Sequence, residues 1–298
     1  MENYNCLRIA DYSIGLRNML NEEGKLYFPL HIGAFTCHDD KEEKGFNLSI
    51  EQTVGLEEPK LKPIVKVDEG PTPYYIYKDD SGNYLWFIKN RQMKKTVSFY
   101  ISSDWRNFKI FPENKEEGVS VFNNFGKIFA YSLLNYNSIM FHGVLLEYKE
   151  KGIVILAPSG TGKTTHARMW RDYKKAIIIN GDKTICKKVD NEWYAYGSPW
   201  FGTSGECINR KVTIDAMVIL ERENENRVFK LNRFDAALQL MKRMYAPTWD
   251  EKLLNNALDK INDIVNDVPI LKLECLPNLD SVETLESALK NYKIIEEI

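Results

Sequence analysis

The chain has 298 residues, of which 44% are hydrophobic and 28% are charged, and its formal net charge is −2. This composition is typical of globular proteins and excludes a disordered or fibrous chain, while the length allows two modest cores. The small net charge provides no global basic field, so we expect neither nucleic acid nor a membrane among the partners.

The amino terminus and the cysteines indicate the compartment. No apolar run approaches the length that crosses a bilayer, and residues 1–12 lack the basic and apolar regions of a secretory signal. The cysteines form neither a CxxC pair nor a disulfide framework; they are Cys6, Cys37, Cys186, Cys207 and Cys275. We therefore predict a cytoplasmic protein with reduced thiols.

One small group of metal-ligating residues occurs near the start of the chain. Cys37 and His38 are adjacent, and His31 lies close by. Zinc sites usually present paired ligands at defined spacings, and the sequence has no second cluster of Cys and His to complete four ligands. The pattern therefore favours ordinary side chains at a strand edge over structural zinc.

Residues 1–115 are predicted to form a β-rich domain. Short alternating or aromatic segments are separated by turn signals, and the clearest hairpin runs from Tyr74 to Lys89 around Ser81-Gly82-Asn83. Its aromatic side chains could form a carbohydrate or peptide platform, but at strand spacing cross-strand core pairs are commoner. The predicted strands are Lys25–Phe35, Tyr74–Tyr77, Tyr84–Lys89, Thr96–Ile101 and Phe108–Phe111.

The pattern changes after residue 115, where we place the domain boundary. Apolar residues at helical spacing predict an amphipathic helix over Val121–Leu134. Residues 116–298 then alternate strands with helices, which is typical of an α/β domain around a buried sheet. The predicted strands are Ile139–Leu146, Gly152–Leu156, Ala176–Ile179, Ile185–Val189, Glu192–Tyr196, Ile214–Leu220, Val228–Leu231 and Pro269–Cys275. The predicted helices are Thr164–Tyr173, Phe234–Tyr245, Asp250–Asn266 and Ser281–Leu289, the last capped by Asp280 or Ser281.

The segment Ala157–Thr164 predicts a phosphate-binding loop rather than a glycine-rich turn without a ligand. The usual pattern is GxxxxGK[ST], and this chain departs from it with Ala157 at the first position. The context compensates, because the apolar strand Ile153–Leu156 enters the loop and a helix-compatible stretch leaves it. Lys163 would reach the β- and γ-phosphates of ATP, and Thr164 would ligate Mg²⁺. The predicted nucleotide-binding residues are Ser159, Gly160, Thr161, Gly162, Lys163, Thr164 and Thr165.

Two runs of sequence around this loop carry a family resemblance. Phe141-His142-Gly143-Val144-Leu145-Leu146 and Gly152–Lys163 together resemble the catalytic domain of bacterial HPr serine kinase/phosphorylase. Ser159–Thr165 is also similar to the loop of phosphoenolpyruvate carboxykinase, which shares that fold. The carboxy-terminal pattern of two helices, a strand and a final helix is most similar to HPr-kinase-like proteins of peptide-modification gene clusters. The resemblance covers about residues 139–290.

The resemblance implies a fold and roles for individual residues. The fold would be an α/β P-loop domain of the HPr kinase/phosphoenolpyruvate carboxykinase type that follows a β-rich N-terminal domain. The whole chain would then be of the α+β class. The backbone of Ser159–Gly162 would hold phosphates, Lys163 would neutralise their charge, and Thr164 would help to bind Mg²⁺. Asp182 matches one of an Asp-Asp pair that handles metal and proton in the family, and His142 lies beside this centre.

The chain departs from the family at Gly181, where the first Asp of the pair would stand. Either the phosphates and Thr164 hold Mg²⁺ while Asp182 is the base, or Glu206 supplies a second carboxylate, or catalysis has been lost. From the residues alone, Asn180-Gly181-Asp182 is also compatible with an ordinary surface turn. In the same way His142, a lone histidine on an apolar strand, is also compatible with an ordinary core residue.

The segment Gly197–Arg210 is long for a connector and is rich in glycine and aromatic residues. Such loops are frequently lids or substrate-binding loops, although an irregular crossover packed by its aromatic residues is the alternative. Arg222 and Arg227 flank a strand turn and could contact nucleotide phosphates, but a solvated hairpin is the commoner arrangement. The polar residues that we predict to contact the acceptor or complete the site are Ser204, Glu206 and Arg210.

The sequence thus predicts a kinase that transfers the γ-phosphoryl group of ATP to a hydroxyl with the help of Mg²⁺. The acceptor would be a serine of a peptide or small protein, or a small-molecule alcohol. The sequence is also compatible with a homo-oligomer. The predicted catalytic residues are Asp182, His142, Lys163 and Glu206, and the predicted metal ligands are Thr164 and Asp182. The alternative is a catalytically decayed nucleotide-binding regulatory or scaffold protein. Decarboxylation in the manner of phosphoenolpyruvate carboxykinase is disfavoured, because no convincing Lys and His ligands for a second metal precede the loop.

Overall fold

The computed structural model describes residues 6–19, 28–37, 47–69, 72–113 and 118–296. The chain divides into two compact units, Met1–Ser132 and Leu133–Ile298. The predicted boundary near residue 115 falls among residues that the structure does not describe, and the observed division comes about 17 residues later. Both units contain a large sheet, and the fold is a mixed α and β architecture. In the described part of the chain, no helix has the length and apolar character that crossing a membrane requires.

The first unit is built on a nine-stranded sheet. Its strands are β1 (Cys6–Ile9), β2 (Tyr12–Arg17), β3 (Thr36–Cys37), β4 (Leu48–Gln52), β5 (Val65–Val67), β6 (Tyr74–Lys78), β7 (Tyr84–Lys89), β8 (Lys95–Ile101) and β9 (Asn107–Pro112). Their spatial order is β3-β1-β2-β4-β9-β8-β7-β6-β5. The pairs β2–β4 and β4–β9 are parallel, whereas the other pairs are antiparallel.

The predicted strands from Tyr74 onward are confirmed, but the prediction over Lys25–Phe35 is wrong where the structure describes it. Leu30–Phe35 form a 3₁₀ helix that follows Pro29. A short apolar run next to a proline carries no clear period, so its type depends on the surrounding structure. For the same reason the sequence patterns do not predict the short strands β1, β2, β4 and β5.

Helix α1 (Gly118–Leu133) packs on the sheet of the first unit through aromatic side chains. The ring of Phe125 lies 5.9 Å from that of Phe108 on β9, and the ring of Tyr131 lies 6.2 Å from that of Trp86 on β7. These contacts connect both halves of the helix to the first sheet. The division of the chain therefore comes after this helix rather than before it.

A disulfide joins Cys6 to Cys37. The two residues are directly opposite each other in the antiparallel pair β1–β3, with their Cα atoms 5.3 Å apart, a separation that a disulfide can span. The prediction of reduced thiols is therefore wrong for this pair, because its partners are brought together by strand pairing across 31 residues. Cys37 is thereby removed from the pattern considered for zinc, and His38 lies outside the described residues. Cytoplasmic localisation stays a prediction.

The second unit contains eight strands and four helices within residues 133–296. The strands are β10 (Ser138–Tyr148), β11 (Lys151–Leu156), β12 (Ile177–Asn180), β13 (Lys183–Val189), β14 (Glu192–Tyr196), β15 (Lys211–Arg222), β16 (Arg227–Lys230) and β17 (Ile270–Cys275). The helices are α2 (Lys163–Lys174), α3 (Arg233–Met241), α4 (Glu251–Asp267) and α5 (Leu279–Asn291). Every predicted element of this half is present, although many of the predicted ends differ from the observed ones, by at most four residues. Helix α3 ends at Met241 instead of Tyr245, and Asn278 caps α5 by accepting a hydrogen bond from the backbone N–H of Ser281.

Two long strands organise the sheet of the second unit. The first half of β10 pairs with β13, and its second half pairs with β11 on one edge and β12 on the other. In the same way β15 pairs first with β14 and then with β11 and β17. The strands β11, β15 and β17 are parallel, so their carboxyl ends meet at one edge of the sheet. Ligands of open α/β sheets bind at such an edge.

Helices α2 and α5 contribute to the same hydrophobic core as the three parallel strands. Trp170 of α2 is fully buried in this core, where its ring packs edge-on against that of Tyr148 at 5.1 Å. Burying an aromatic side chain of this size stabilises the fold by about 2–3 kcal/mol. The core therefore holds α2 against the sheet through Ala167 and Trp170.

A buried carboxylate connects the same elements. Glu286 of α5 accepts a hydrogen bond from the Tyr148 hydroxyl at 2.7 Å and lies 2.7 Å from Nζ of Lys174 on α2. Burial would by itself raise the pKa of Glu286, but the interactions with Lys174 and Tyr148 outweigh it and lower the pKa to about 2. The charged form is thus favoured in the folded state, and the stabilisation it provides is present above the unfolded pKa of about 4.3.

Replacing Glu286 by glutamine is expected to lower the free energy of unfolding by ~2 kcal/mol at pH 7, since it leaves the Lys174 ammonium without its buried partner. Because the folded pKa is depressed, the difference from wild type should narrow as the pH falls from 5 towards 2. Denaturant unfolding of the full chain at several pH values measures it. The matched control is Glu283→Gln, since Glu283 also contacts Lys174, at 2.6 Å, but is 54% exposed. Equal losses in both variants would contradict the role of the buried pair.

Candidate functional site

The glycine-rich loop leaves β11 at Leu156 and enters α2 at Lys163. Gly160 and Gly162 have φ angles of +77° and +111°, a region that glycine adopts without strain, so the two glycines shape the turn. The first hydrogen bond of the helix is donated by the backbone N–H of His166 to the carbonyl of Gly162 at 2.9 Å. Backbone N–H groups ahead of that position have no carbonyl partner within the helix, and they make the start of α2 suitable for an anion.

The side chain of Lys163 folds back across this loop. Its Nζ donates to the carbonyl of Ala157 at 2.8 Å and lies 3.0 Å from Nε2 of His142. Lys163 is buried, and burial lowers the pKa of its ammonium group, which Asp182 opposes and Arg243 reinforces. The ammonium group is therefore held at the loop and close to the residues that line its other side.

His142 lies on β10 directly opposite Lys183 at the start of β13. Because an ammonium group can only donate, Nε2 of His142 accepts from Lys163, which assigns the ring proton to Nδ1. That nitrogen is 3.2 Å from Oδ1 of Asp182, and Nζ of Lys183 is 2.7 Å from Oδ2 of the same carboxylate. Four side chains thus form a continuous chain of contacts in the order Lys163, His142, Asp182, Lys183.

Asp182 is ionised throughout the physiological range. Burial would by itself raise the pKa of its carboxyl group, but the interaction with His142 and the charge of Lys183 outweigh it and lower the pKa to about 2. A carboxylate with so low a pKa is a weak proton acceptor and a good partner for cations. Its position beside the loop agrees with the placement expected for Asp182 and His142 from the sequence.

The segment Gly197–Arg210 turns over the carboxylate. Residues of the turn come so close that a Cβ atom at Gly202 would lie 2.8 Å from Cγ of Asp182, and one at Gly181 would lie 1.8 Å from Oγ of Ser204. The Ser204 hydroxyl donates to the carbonyl of Phe201 at 2.7 Å and accepts from the N–H of Glu206 at 3.1 Å. Ser204 is therefore near the site, as expected, and its side chain fills the space that a side chain at position 181 would need.

Gly181→Ala is expected to lower the free energy of unfolding by about 1–3 kcal/mol, because its Cβ would overlap Ser204. The second change Ser204→Gly should recover most of that loss, so the two effects will be strongly non-additive. Thermal or denaturant unfolding of the two single variants and the double variant measures the coupling. Gly33→Ala is the control, since an added Cβ there meets nothing within 4 Å. Additive losses would show that the contact with Ser204 is unimportant.

Glu206, another predicted residue, forms an ion pair with helix α2. Oε1 of Glu206 is 2.5 Å from Nη1 of Arg171, and Nη2 of Arg168 donates to the carbonyl of Ser204 at 3.2 Å. These arginines belong to α2, so they connect the helix after the loop to the turn over Asp182. The structure thus places Glu206 as a bracing residue of the turn.

Arg210 stands apart from the group around Asp182. Its Nη2 is 2.6 Å from Oε1 of Glu147, and its backbone carbonyl accepts from the N–H of Gly197 at the base of the loop. Glu147 is five residues beyond His142 on β10, which corresponds to roughly 16 Å along the strand. The structure does not bring Arg210 together with the other predicted site residues.

The two arginines near the end of β15 have different surroundings. Arg222 donates from Nε to the carbonyl of Thr161 at 2.8 Å and from Nη2 to that of Gly160 at 3.1 Å. Arg227 instead pairs with Glu274 at 2.7 Å. Arg222 therefore stabilises the glycine-rich loop through its carbonyl groups, which leaves the loop N–H groups directed elsewhere.

Three residues at the site, Lys183, Arg243 and Tyr245, were not predicted from the sequence. Lys183 contacts Asp182, and its Nζ lies 5.9 Å from the ring centre of Tyr245. Arg243 is buried, its carbonyl accepts from the backbone N–H of His142 at 2.9 Å, and its Nε has no hydrogen-bond partner within the described residues. Burial lowers the pKa of this guanidinium group. Arg243 and Tyr245 stand in a predicted helix, whereas the structure pairs this segment with β10, so no local signal could have identified them.

The donor atoms fit a divalent cation only together with a ligand. In the described part of the chain, no group of three or more His, Cys, Asp and Glu side chains is arranged to hold a metal ion. Asp182 and the Thr164 hydroxyl are oxygen donors of the kind that Mg²⁺ prefers, and Mg²⁺ is commonly bound by one or two such groups plus phosphate oxygens. The residues present therefore supply oxygen donors of the kind that Mg²⁺ bound to a phosphate ligand uses.

Comparison with known proteins adds little to this geometry. No protein-family profile matches the sequence, and no curated protein matches it. Among solved structures, the chain is similar to the Hpr(Ser) kinase/phosphatase from Coxiella burnetii with 9% identity and a TM-score of 0.31. The match covers 52% of this chain and 94% of that one. Such a low score leaves the function to be argued from the residues of the site.

Proposed function

We propose that the second unit binds ATP at Ala157–Thr165 and transfers its γ-phosphoryl group to a hydroxyl. The observation that carries this proposal is the buried Lys163 ammonium, which contacts the glycine-rich loop on one side and His142 on the other. Through His142 it is connected to Asp182. An anion-binding loop, a fixed cation and an ionised carboxylate are the groups that phosphoryl transfer requires at one place.

Each group has a role in the proposed reaction. The loop N–H groups would hold phosphate oxygens, and Lys163 would neutralise the charge on the phosphates. The buried Arg243, whose charge acts on Lys163, would supply further positive charge. Mg²⁺ held by Asp182, Thr164 and phosphate oxygens would polarise the transferring group. His142 would help to orient the Asp182 carboxylate through the 3.2 Å contact between its Nδ1 and Oδ1.

The low pKa of Asp182 supports a role in positioning the cation and the hydroxyl over a role as a strong base. This is sufficient for phosphoryl transfer, because its transition state is loose and positioning with charge neutralisation does most of the work. The acceptor would be a serine of a peptide or small protein, or a small-molecule alcohol.

One observation favours a second candidate function. A single carboxylate with glycine at position 181 is also compatible with a regulatory or scaffold protein in which ATP is bound without transfer. Incubation of the full chain with γ-labelled ATP, Mg²⁺ and acceptors encoded by neighbouring genes separates the two. Acceptor-dependent release of ADP with label on the acceptor supports the kinase. ATP binding without label on any peptide or alcohol tried would support the scaffold protein.

A further inference from the structure

The positive charges around Asp182 exceed what one carboxylate balances. Both carboxylate oxygens have a partner, since Oδ1 faces Nδ1 of His142 and Oδ2 is 2.7 Å from the Lys183 ammonium. The Lys163 ammonium adds a further cation at the loop, and the charge of the buried Arg243 acts on it. Sites that hold two divalent cations place them about 3.5–4 Å apart, and anionic ligands must offset the repulsion between the two ions.

The position next to Asp182 is closed to a second carboxylate. A Cβ atom at Gly181 would lie 1.8 Å from Oγ and 2.4 Å from Cβ of Ser204. Ser204 cannot swing away without loss, because its hydroxyl bonds to the backbone of Phe201 and Glu206. The absence of a side chain at position 181 is therefore built into the packing of the turn.

Lys183 is fixed as firmly as the carboxylate it contacts. Its N–H donates to Oδ1 of Asn180 at 2.7 Å, and its carbonyl accepts from the Ser198 hydroxyl at 2.6 Å. Its side chain is 19% exposed and extends beside Tyr245. The register of β10 with β13 places it directly opposite His142. The backbone of Lys183 is thus fixed, and its ammonium group is held at the site by the 2.7 Å pair with Asp182.

We propose, resting on the proposed function, that the Lys183 ammonium takes the place of a second divalent cation. The site binds one Mg²⁺ with the nucleotide, and Lys183 carries the other positive charge that faces the phosphates. An ammonium on a flexible stem can perform this role as a point charge that donates three hydrogen bonds. Lys183 is then a catalytic residue in contact with the substrate phosphates.

Metal counting tests the first half of the proposal. The probes are Mn²⁺ and adenylyl imidodiphosphate, an ATP analogue that is not hydrolysed, with the full chain. Electron paramagnetic resonance of free Mn²⁺ gives the number bound at saturation. We expect one Mn²⁺ for each nucleotide-bound chain and no tight Mn²⁺ without the nucleotide. Two tightly bound ions in the wild type would overturn the proposal.

Lys183→Met tests the second half. The metal-free analogue should bind about tenfold more weakly, because one charge-assisted contact to phosphate is lost. Mn²⁺ should bind more tightly in the presence of the analogue, because a like charge no longer repels it from Asp182. A general loss of structure would weaken the binding of both ligands, so it cannot explain a lower affinity for the analogue together with a higher affinity for Mn²⁺. The matched control Lys187→Met, four residues along β13, should change neither affinity. Equal weakening of both ligands by Lys183→Met would overturn the role of Lys183.

A variant with the opposite design gives an independent result. Gly181→Asp combined with Ser204→Gly supplies a second carboxylate and removes the side chain that blocks it. We expect this double variant to bind a second Mn²⁺ with the analogue. If it still binds one Mn²⁺, the packing at position 181 is not what keeps a second cation out of the wild type. If the wild type does not bind the analogue at all, the proposed function fails. If the wild type binds the analogue together with two Mn²⁺ ions, only the proposal for Lys183 fails.

Discussion

Replacing Lys163 by alanine is expected to weaken ATP binding by about 10- to 100-fold, because a charge-assisted contact to phosphate contributes about 1.5–3 kcal/mol. A ligand that binds only the folded state raises the free energy of unfolding by about 2.7 kcal/mol at 100 times its Kd. The wild type should therefore show a clear increase in Tm with ATP and Mg²⁺. Most of that increase should disappear in Lys163→Ala.

The shift must be measured against the Tm of each variant without nucleotide. Lys163 bonds to the loop carbonyl of Ala157 and to His142, so its loss will change the unliganded protein as well. Calorimetric titration gives the affinity directly. Lys252→Ala removes the same charge from an exposed position on α4 and should keep the full shift. An unchanged shift in Lys163→Ala would show that the nucleotide site is elsewhere.

Asp182→Asn should slow phosphoryl transfer by about 10²–10⁴-fold while nucleotide affinity falls only slightly, because the neutral side chain no longer positions the cation. Asparagine keeps the size and hydrogen-bonding capacity of the side chain but removes the charge that faces His142, Lys183 and a bound cation. In the proposed site the loop N–H groups and Lys163 hold the nucleotide, and Asp182 acts on Lys163 only through His142 and its charge. A large effect on rate with a small effect on affinity is therefore the expected signature.

The measurement is single-turnover transfer of a labelled γ-phosphate to an acceptor sought among the products of neighbouring genes. Asp172→Asn is the control, since Asp172 is an exposed carboxylate on α2. Glu206→Gln run in parallel tests whether Glu206 acts as a second catalytic carboxylate; its pairing with Arg171 leads us to expect a smaller loss. Transfer at the wild-type rate in Asp182→Asn would contradict the mechanism.

The pH dependence of the same reaction provides a further check on Asp182. Because its pKa is lowered to about 2, its charged form and the interactions it makes are present above the ordinary carboxyl pKa and are lost only as the pH falls through 2. The rate of the wild type should therefore show no loss attributable to this carboxylate between pH 5 and pH 8. An acidic limb in that range that disappears in Asp182→Asn would contradict the assignment.

The sequence by itself was sufficient wherever the information is local. The strand Ile153–Leu156, the glycines at 160 and 162 and the helix after Lys163 follow from apolar runs, conformational freedom and caps, each of which acts over a few residues. The same holds for the hairpin between Tyr74 and Lys89, where the turn residues and the alternating strands specify one another.

The tertiary structure decided everything that depends on which distant segments meet. Cys6 meets Cys37, Gly181 meets Ser204, and Arg243 reaches His142 only because strands and turns pair across long separations, which leave no periodic trace in the sequence. The boundary after α1 was set in the same way, by the packing of its aromatic side chains on the first sheet. Local propensity specifies elements, whereas burial and pairing between elements specify which side chains share a site.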